Sequence, residues 1–384
     1  MITRVFLLVL DGLGVGALPD AHCDGDADAD TLGHLCEAAG GVCLPNLENL
    51  GLGHLGKFAG VRPIAQPEGC FGRLGFVSKG KDSLSKHWEI ACWPLEEENG
   101  VQPAFTPVLT EMIEEAIGQK TLGNRVLSRF DRFDELVAEH RRSGSPIAWI
   151  DDVGVIHLAA HDALMPVEDL YRMARDIRRI VKAKFPVVRV VAQPFNSYAG
   201  SFTSGERRRH FATEPGGPTL LDQLIRASQL VMGIGKVSDL FSGRGITRST
   251  LVSGYREALD EALALFGRVP RGLVFANLEL LSPSLDETVR ALQEVDRKLA
   301  EFQTKLQKGD LLVITADHGY DMSRPTPGHC REYAPLLITG PKLARGVNLG
   351  TRPTAADLGQ TIGEALGAVR IPVGDSFLDS LRVG

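Results

Sequence analysis

Residues 309–319 read Gly-Asp-Leu-Leu-Val-Ile-Thr-Ala-Asp-His-Gly, so a short apolar run delivers a carboxylate and an imidazole, Asp317 and His318, side by side. A second apolar run at 5–10 ends on Asp11 and a glycine-rich turn containing Gly12, Gly14 and Gly16. With His329 these form an oxygen-and-nitrogen ligand set suited to Zn²⁺ or Mn²⁺, because hard carboxylates and borderline imidazoles together match those ions. A third polar segment, Gly-Lys-Asp-Ser-Leu-Ser-Lys-His-Trp-Glu at 80–89, places two hydroxyls beside a lysine and a histidine. A hydroxyl becomes a nucleophile near neutral pH only when a base or a metal ion activates it. Each piece also has an ordinary structural reading. Asp11 would cap a turn, Asp317 and His318 would close a strand end, and Ser83 or Ser85 would cap a helix with His87 or Glu89 in its first turn.

The elements that must position these groups are those of an open α/β sheet, which carries its chemistry at the carboxyl ends of its strands. Residues 5–10, 273–281 and 311–314 are apolar runs of strand length, and 286–307 repeats Val289, Leu292, Val295, Leu299 and Phe302 at helical spacing. The last three segments therefore predict a strand, a crossover helix and a parallel strand. Between 97 and 216 the texture changes. A helix is expected over 108–117, a charged stretch follows over 129–142, and strands are expected at 147–150, 153–158 and 187–192. Glycine-rich 196–217 reads as loop and boundary. The expected organisation is a core formed by 1–96 and 217–384, with 97–216 as an inserted cap.

At 384 residues the chain is long enough for about two domains. Hydrophobic residues make up 43% and charged residues 23%, ordinary values that disfavour disorder. A net charge of −6 argues against nucleic acid and anionic lipid as partners. Asp11 interrupts the N-terminal apolar run too early for a signal peptide, and no stretch reaches the ~20 apolar residues of a membrane span. The six cysteines show no C-x-x-C pair. A cytoplasmic protein with reduced thiols is expected.

Several motifs, taken together and in order, resemble one family. They are V-L-D-G-L-G-V-G at 9–16, A-D-T-L-G-H at 29–34, G-K-D-S-L-S-K-H-W-E at 80–89, I-G-K-V-S-D at 234–239, I-T-A-D-H-G at 314–319 and H-C-R-E-Y at 329–333. The chain is similar to the phosphopentomutases, which belong to the alkaline phosphatase superfamily of metalloenzymes. The resemblance implies an α/β fold, an alkaline-phosphatase-like doubly wound, metal-binding core over 1–96 and 217–384 with an inserted, smaller α/β cap over 97–216 that meets the substrate. It also implies Mn²⁺, with Zn²⁺ or Mg²⁺ as substitutes, and transfer of a phosphoryl group between C1 and C5 of ribose or deoxyribose. By motif, Asp11, Asp317 and His318 would hold one ion, Ser83 would carry the phosphoryl group and also meet the metal, and His329 would belong to a second ion. Lys236 would face the cap and the substrate phosphate, with Arg208 in the basic loop 207–209 and Asp152 as further substrate contacts.

The chain departs from the family pattern at several of these positions. After Asn277 it reads Leu-Glu-Leu-Leu-Ser-Pro-Ser-Leu-Asp-Glu, shorter than the family's acid-rich segment and without its histidine. One ion is therefore expected, with the second site depleted. Glu279 is a partial substitute only if its strand end faces inward, and Asp286 is expected to cap the next helix. The phosphoryl-carrying threonine is Ser83, a glycine is replaced by Lys86, whose charge could reach a metal site and which is a further expected substrate contact, and a substrate-holding arginine is replaced by Gln193. These changes keep two readings open beside the mutase. One is a phosphatase or transferase with a changed substrate, and the other is a silent homologue that binds a phosphorylated ligand or a protein partner.

Overall fold

The structure, a computed structural model, describes residues 2–95, 104–127, 133–182, 184–185, 189–196, 207–324 and 327–382. The chain forms two compact units, one of Met1–Glu96, Pro215–Ser238 and Arg244–Gly384, the other of Glu97–Glu214 and Asp239–Gly243. In chain order the strands are β1 (Arg4–Leu10), β2 (Cys70–Leu74), β3 (Leu122–Val126), β4 (Ile147–Ile150), β5 (Ile156–His161), β6 (Arg189–Phe195), β7 (Arg209–Ala212) and β8 (Leu230–Ile234). They continue as β9 (Arg248–Thr250), β10 (Gly272–Leu278), β11 (Asp310–Ala316), β12 (Gly319–Asp321), β13 (Gly328–Cys330), β14 (Ala334–Thr339) and β15 (Asn348–Arg352).

The first unit is built on an eight-stranded sheet of order β15-β2-β14-β11-β1-β10-β8-β9. Its centre, β11-β1-β10-β8-β9, is parallel. Every residue of β1, β10 and β11 is buried, which is why they read as nearly continuous apolar runs rather than alternating ones. Helices Pro45–Leu50, Tyr255–Ala264 and Leu285–Lys305 pack into one group, and Ser83–Ile90, Leu220–Arg226 and Ala356–Ala365 into another, as layers flanking a doubly wound sheet do. The long helix turns Leu292, Val295, Leu299 and Phe302 inward, and Phe302 meets the Phe6 ring of β1 at 6.2 Å. Each such fully buried side chain stabilises the unit by roughly 1.5–3 kcal/mol.

Three sequence expectations shift here. The strand expected to reach residue 281 stops at Leu278, and Ser284 rather than Asp286 caps the long helix, accepting from the Glu287 N–H. Ser83 and Ser85 do not cap their helix either. Asp82 does, with its carboxylate accepting from Leu84 and Ser85 N–H at 2.9 and 3.2 Å.

The second unit has a five-stranded mixed sheet, β3-β4-β5-β6-β7. Helices Pro107–Ile117 and Val167–Val181 cover one face through Ala148, Ile150, Ile156, Leu158, Val190 and Ala192. Part of the expected loop is β7, whose Arg-His-Phe-Ala sequence lacks the apolar alternation that marks a strand; residues 197–206 lie outside the described residues. No described helix is long and apolar enough to cross a membrane.

Two buried polar contacts hold the central strands and the turn after β1. Arg4 forms a two-pronged pair with Asp310 at 2.9 and 2.7 Å, tying the start of β1 to the start of β11, and donates to Phe266 and Val269 carbonyls. Glu332 accepts from Gly16 N–H, Thr31 N–H and the Thr31 hydroxyl, at 3.1, 3.0 and 2.6 Å. The glycines around it are required by space, since a Cβ at Gly14 or Gly319 would come within 2.3 or 2.0 Å of this carboxylate. Burial outweighs the three hydrogen bonds and raises the Glu332 pKa to about 7.

Asp310→Ala leaves the Arg4 charge buried without its partner, and urea unfolding is expected to show a loss of about 3–5 kcal/mol. For Glu332, the folded state keeps a proton that the unfolded chain releases near its ordinary pKa of 4.5. Its contribution is therefore fully present below pH 4.5, declines as pH rises to about 7 and is level above. Urea titrations at several pH values are expected to show wild type losing ground to Glu332→Gln by up to about 3 kcal/mol across that window, with no further change above it.

Candidate active site

Strand register brings the acids together. Leu10 pairs with Ala316 of β11 on one side and Leu278 of β10 on the other, so Asp11 and Asp317 leave adjacent strand ends at the same level. The Asp11 N–H is held by the Leu278 carbonyl at 3.0 Å, and the Gly12 N–H donates to Asp317 Oδ1 at 3.1 Å. Gly12 takes a left-handed φ of 80°, and a Cβ there would meet Leu281 at 2.5 Å, so the turn that aims Asp11 needs glycine.

Asp11, Asp317 and His318 are all buried and form the set of acid and imidazole groups, among the described residues, able to share a metal ion. His318 Nε2 lies 3.3 Å from Asp11 Oδ1 and 3.5 Å from Asp317 Oδ2. Ligand atoms at about 2.0–2.1 Å around a tetrahedral ion are about 3.3–3.4 Å apart, so these spacings fit. Two further observations support that fit. Asp317 Oδ2 is buried without a hydrogen bond among the described residues, and His318 Nδ1 faces the Gly319 carbonyl at 3.0 Å, which turns the Nε2 lone pair toward the acids. Burial opposes charge on both groups, yet their mutual attraction dominates. Asp317 is held below the usual carboxylate range, with the His318 charge the chief opposing cause, and His318 is raised by Asp317 and Asp11.

Ser83 opens the Ser83–Ile90 helix and points its hydroxyl at this set, 3.1 Å from His318 Nε2. Lys236 reaches the same hydroxyl at 2.8 Å and Asp11 Oδ2 at 2.5 Å. The ammonium thus uses the Asp11 oxygen that does not face His318. The sequence leads one to expect it facing a substrate phosphate; its position is on the Ser83 hydroxyl and Asp11.

His87 completes the floor of the site. Its Nδ1 donates to the Ser83 carbonyl at 2.8 Å and lies 3.6 Å from Asp317 Oδ2, and its Nε2 meets Asn277 Nδ2 at 3.4 Å. Burial depresses its pKa to about 4, so the ring is neutral and positions Ser83 and Asn277. The sequence marked His87 as a helix-start residue; its spacing of four from Ser83 was the available signal for this contact.

The other expected site residues are outside the three-residue ligand set. His329 is half-buried, its ring 4.5 Å from that of His318 and 5.3 Å from that of Tyr320, outside the three-residue ligand set. Lys86 turns away from the acids, because its ammonium donates to the Ser78 carbonyl at 2.8 Å and lies over Phe76. Burial lowers its pKa to about 8. Arg208 and Asp152 belong to the second unit, where the positive charge of Arg208 acts on His157.

A family model described as Metalloenzyme superfamily matches residues 283–369, which include Asp317 and His318. The phosphopentomutase of Caldanaerobacter subterraneus subsp. tengcongensis is 39% identical, covering 99% of this chain and 98% of that protein. That of Carboxydothermus hydrogenoformans is also 39% identical, with 99% of each covered, and that of Desulfitobacterium hafniense is 38% identical, with 98% and 99% covered. Such identity along the whole length, with the buried acid–imidazole set in register, establishes that the chain belongs to the phosphopentomutase family of metalloenzymes.

Proposed function

We propose that this protein is a phosphopentomutase that moves a phosphoryl group between C1 and C5 of ribose or deoxyribose through a phosphoserine at Ser83. The observation that carries this reading is the Ser83 hydroxyl, buried and held between Lys236 Nζ at 2.8 Å and His318 Nε2 at 3.1 Å. An isolated serine hydroxyl is a weak nucleophile, and these neighbours are groups that activate one.

Phosphorylated Ser83 gives its phosphoryl group to the free hydroxyl of a pentose monophosphate. The Oγ–P bond breaks, a bond to the sugar oxygen forms, and the proton of the sugar hydroxyl passes to the departing Ser83 Oγ. When the bisphosphate presents its other end, Ser83 Oγ takes that phosphoryl group and the remaining monophosphate is the isomer. Asp11 Oδ1, Asp317 Oδ2, His318 Nε2 and Ser83 Oγ would hold one divalent ion, Mn²⁺ as the family resemblance suggests; when bound, it supplies positive charge for the serine alkoxide and the phosphoryl oxygens. Lys236 donates to Ser83 Oγ, stabilising charge on that oxygen as it becomes nucleophile and leaving group. Asp82, by capping the helix, fixes the backbone that carries Ser83.

In this reading the first unit is the catalytic core and the second unit is the substrate cap. The segment after β10 runs through half-buried Glu279 to the Ser284 cap. One firmly bound ion is therefore the expected complement, with Lys236 supplying part of the charge that a second ion would provide. The six cysteines are unpaired, consistent with a cytoplasmic setting.

Elemental analysis of purified protein is expected to find one equivalent of Mn²⁺ or Zn²⁺, reduced in Asp317→Ala; no metal, and no rise in melting temperature when metal is added, would reject the reading. During turnover with ribose 5-phosphate and a bisphosphate activator, intact mass is expected to show a phosphoryl group that Ser83→Ala lacks, and its absence in both proteins would remove the mutase assignment. Lys236→Met is expected to keep the metal while kcat falls by about 10²–10³, the cost of losing one preorganised donor. Unchanged turnover would strip Lys236 of its role.

A further inference from the structure

The second unit's sheet has a second face with unusual chemistry. His157 of β5 pairs with Val191 of β6, and Val191 pairs with His210 of β7. Because side chains alternate along a strand, His157, Arg189, Val191, Gln193 and His210 share one face, opposite the face covered by the helices Pro107–Ile117 and Val167–Val181. On this same face Ile147, Trp149, Ala159 and Phe195 pack against Phe133 and Val137 at the helix Asp134–Ser143, and His157, Arg189, Gln193 and His210 are its polar and basic remainder.

Arg189 is the sharpest anomaly. It is only 5% exposed, yet its Nε and Nη1 have no hydrogen-bond partner among the described residues. A guanidinium cannot shed its charge, so burying one without an acceptor is strongly unfavourable. An anion is the complement that removes the penalty, and phosphate matches the guanidinium fork in geometry and charge.

His157 adds a second, different requirement. Its Nε2 lies 2.9 Å from Asp151 Oδ2, and Asp151 is fixed in turn because its Oδ1 accepts from Val153 and Val155 N–H at 3.2 and 2.8 Å. A carboxylate only accepts, so the hydrogen sits on Nε2 and Nδ1 carries a lone pair. Burial, with the nearby charges of Arg208 and Arg189, lowers the His157 pKa and keeps the ring neutral. Nδ1 is buried and has no partner among the described residues, while Trp149 stacks on the ring at 4.7 Å and holds its orientation. This face therefore presents an unpaired donor fork and an unpaired acceptor as diagonal neighbours, with α-carbons roughly 7–8 Å apart.

We propose that this face of the second unit binds a phosphate monoester bearing a free hydroxyl, with Arg189 gripping the phosphate and His157 Nδ1 accepting the hydroxyl hydrogen. The choice of a sugar phosphate among such ligands rests on the mutase reading above. Gln193 is neutral, so the binding charge on β6 falls to Arg189, and Gln193 contributes at most an amide to the same ligand. His157, through its fixed tautomer, makes the site selective for a hydroxylated ester over bare phosphate.

Calorimetric titration of the metal-loaded full chain with ribose 5-phosphate, and separately with inorganic phosphate, tests this. Arg189→Lys keeps the charge but loses the fork, and is expected to weaken both ligands tenfold or more. His157→Phe keeps the stack on Trp149 and is expected to weaken ribose 5-phosphate about tenfold while changing inorganic phosphate less than twofold. Arg189→Gln serves as a stronger version, and melting curves confirm that each variant is folded. No binding by wild type, or native affinity for ribose 5-phosphate in either Arg189→Lys or His157→Phe, would overturn the proposal. Arg189-dependent binding of ribose 5-phosphate by a wild type that gains no phosphoserine during turnover would retain this site while removing the mutase reading.

Discussion

Two carboxylates forced to the same height on neighbouring strands set the terms for everything around them. Parallel pairing of β1 with β11 leaves Asp11 and Asp317 side by side at 2% and 0% exposure, where like charges repel without water to screen them. The sheet can tolerate this only if positive charge is brought in. His318 follows directly from the strand that supplies Asp317, and Lys236 comes from just beyond β8, two strands away from β1 in the same sheet. The remaining unbonded oxygen on Asp317 marks the direction in which charge is still lacking.

That shortage explains why the surrounding residues are so restricted. Glycine is needed at position 12 for a left-handed turn, and at 14 and 319 because Glu332 occupies the space a side chain would take. Glu332 in turn satisfies backbone donors at Gly16 and Thr31, so a strand hairpin late in the chain fixes the loop that follows the first strand. Asp82 performs the same service for Ser83 at a helix start. None of these residues needs to touch a substrate. Their work is to hold the three acid and imidazole groups with ligand atoms within 4.8 Å of one another and the Ser83 hydroxyl 3.1 Å from His318.

The amino-acid sequence disclosed the frame better than the side-chain partnerships. Buried parallel strands advertise themselves as unbroken apolar runs, and β1 and β11 were legible on that ground, as was the long helix with its three- and four-residue spacing. Asp11, Ser83, Asp317 and His318 were legible because each ends an element or begins one, and the family motifs carried them. What local pattern cannot encode is which distant group a long flexible side chain will meet. Lys236 and Lys86 are both lysines near motif residues, yet one rests on the Ser83 hydroxyl and the other on a backbone carbonyl, a difference decided by tertiary packing. His157 and Arg189 gave no signal because histidine and arginine on a short strand look like surface residues until the sheet shows them buried. β7 was obscured for the same reason.

The five residues Asp239–Gly243 have a consequence for how the chain could be dissected. They are sequence neighbours of Lys236 but fold with the second unit, where Asp239 receives both prongs of Arg209 and the His210 N–H. The polypeptide therefore crosses between the units four times, and the second unit is a composite of two separate stretches. Excising 97–214 as a cassette, or transplanting it from a relative, would strand an acid whose counter-ion, Arg209, had left with the cassette. A chimera has to carry the short fragment along with the long one, which makes the I-G-K-V-S-D motif, ending on Asp239, the place where the two stretches must be cut together.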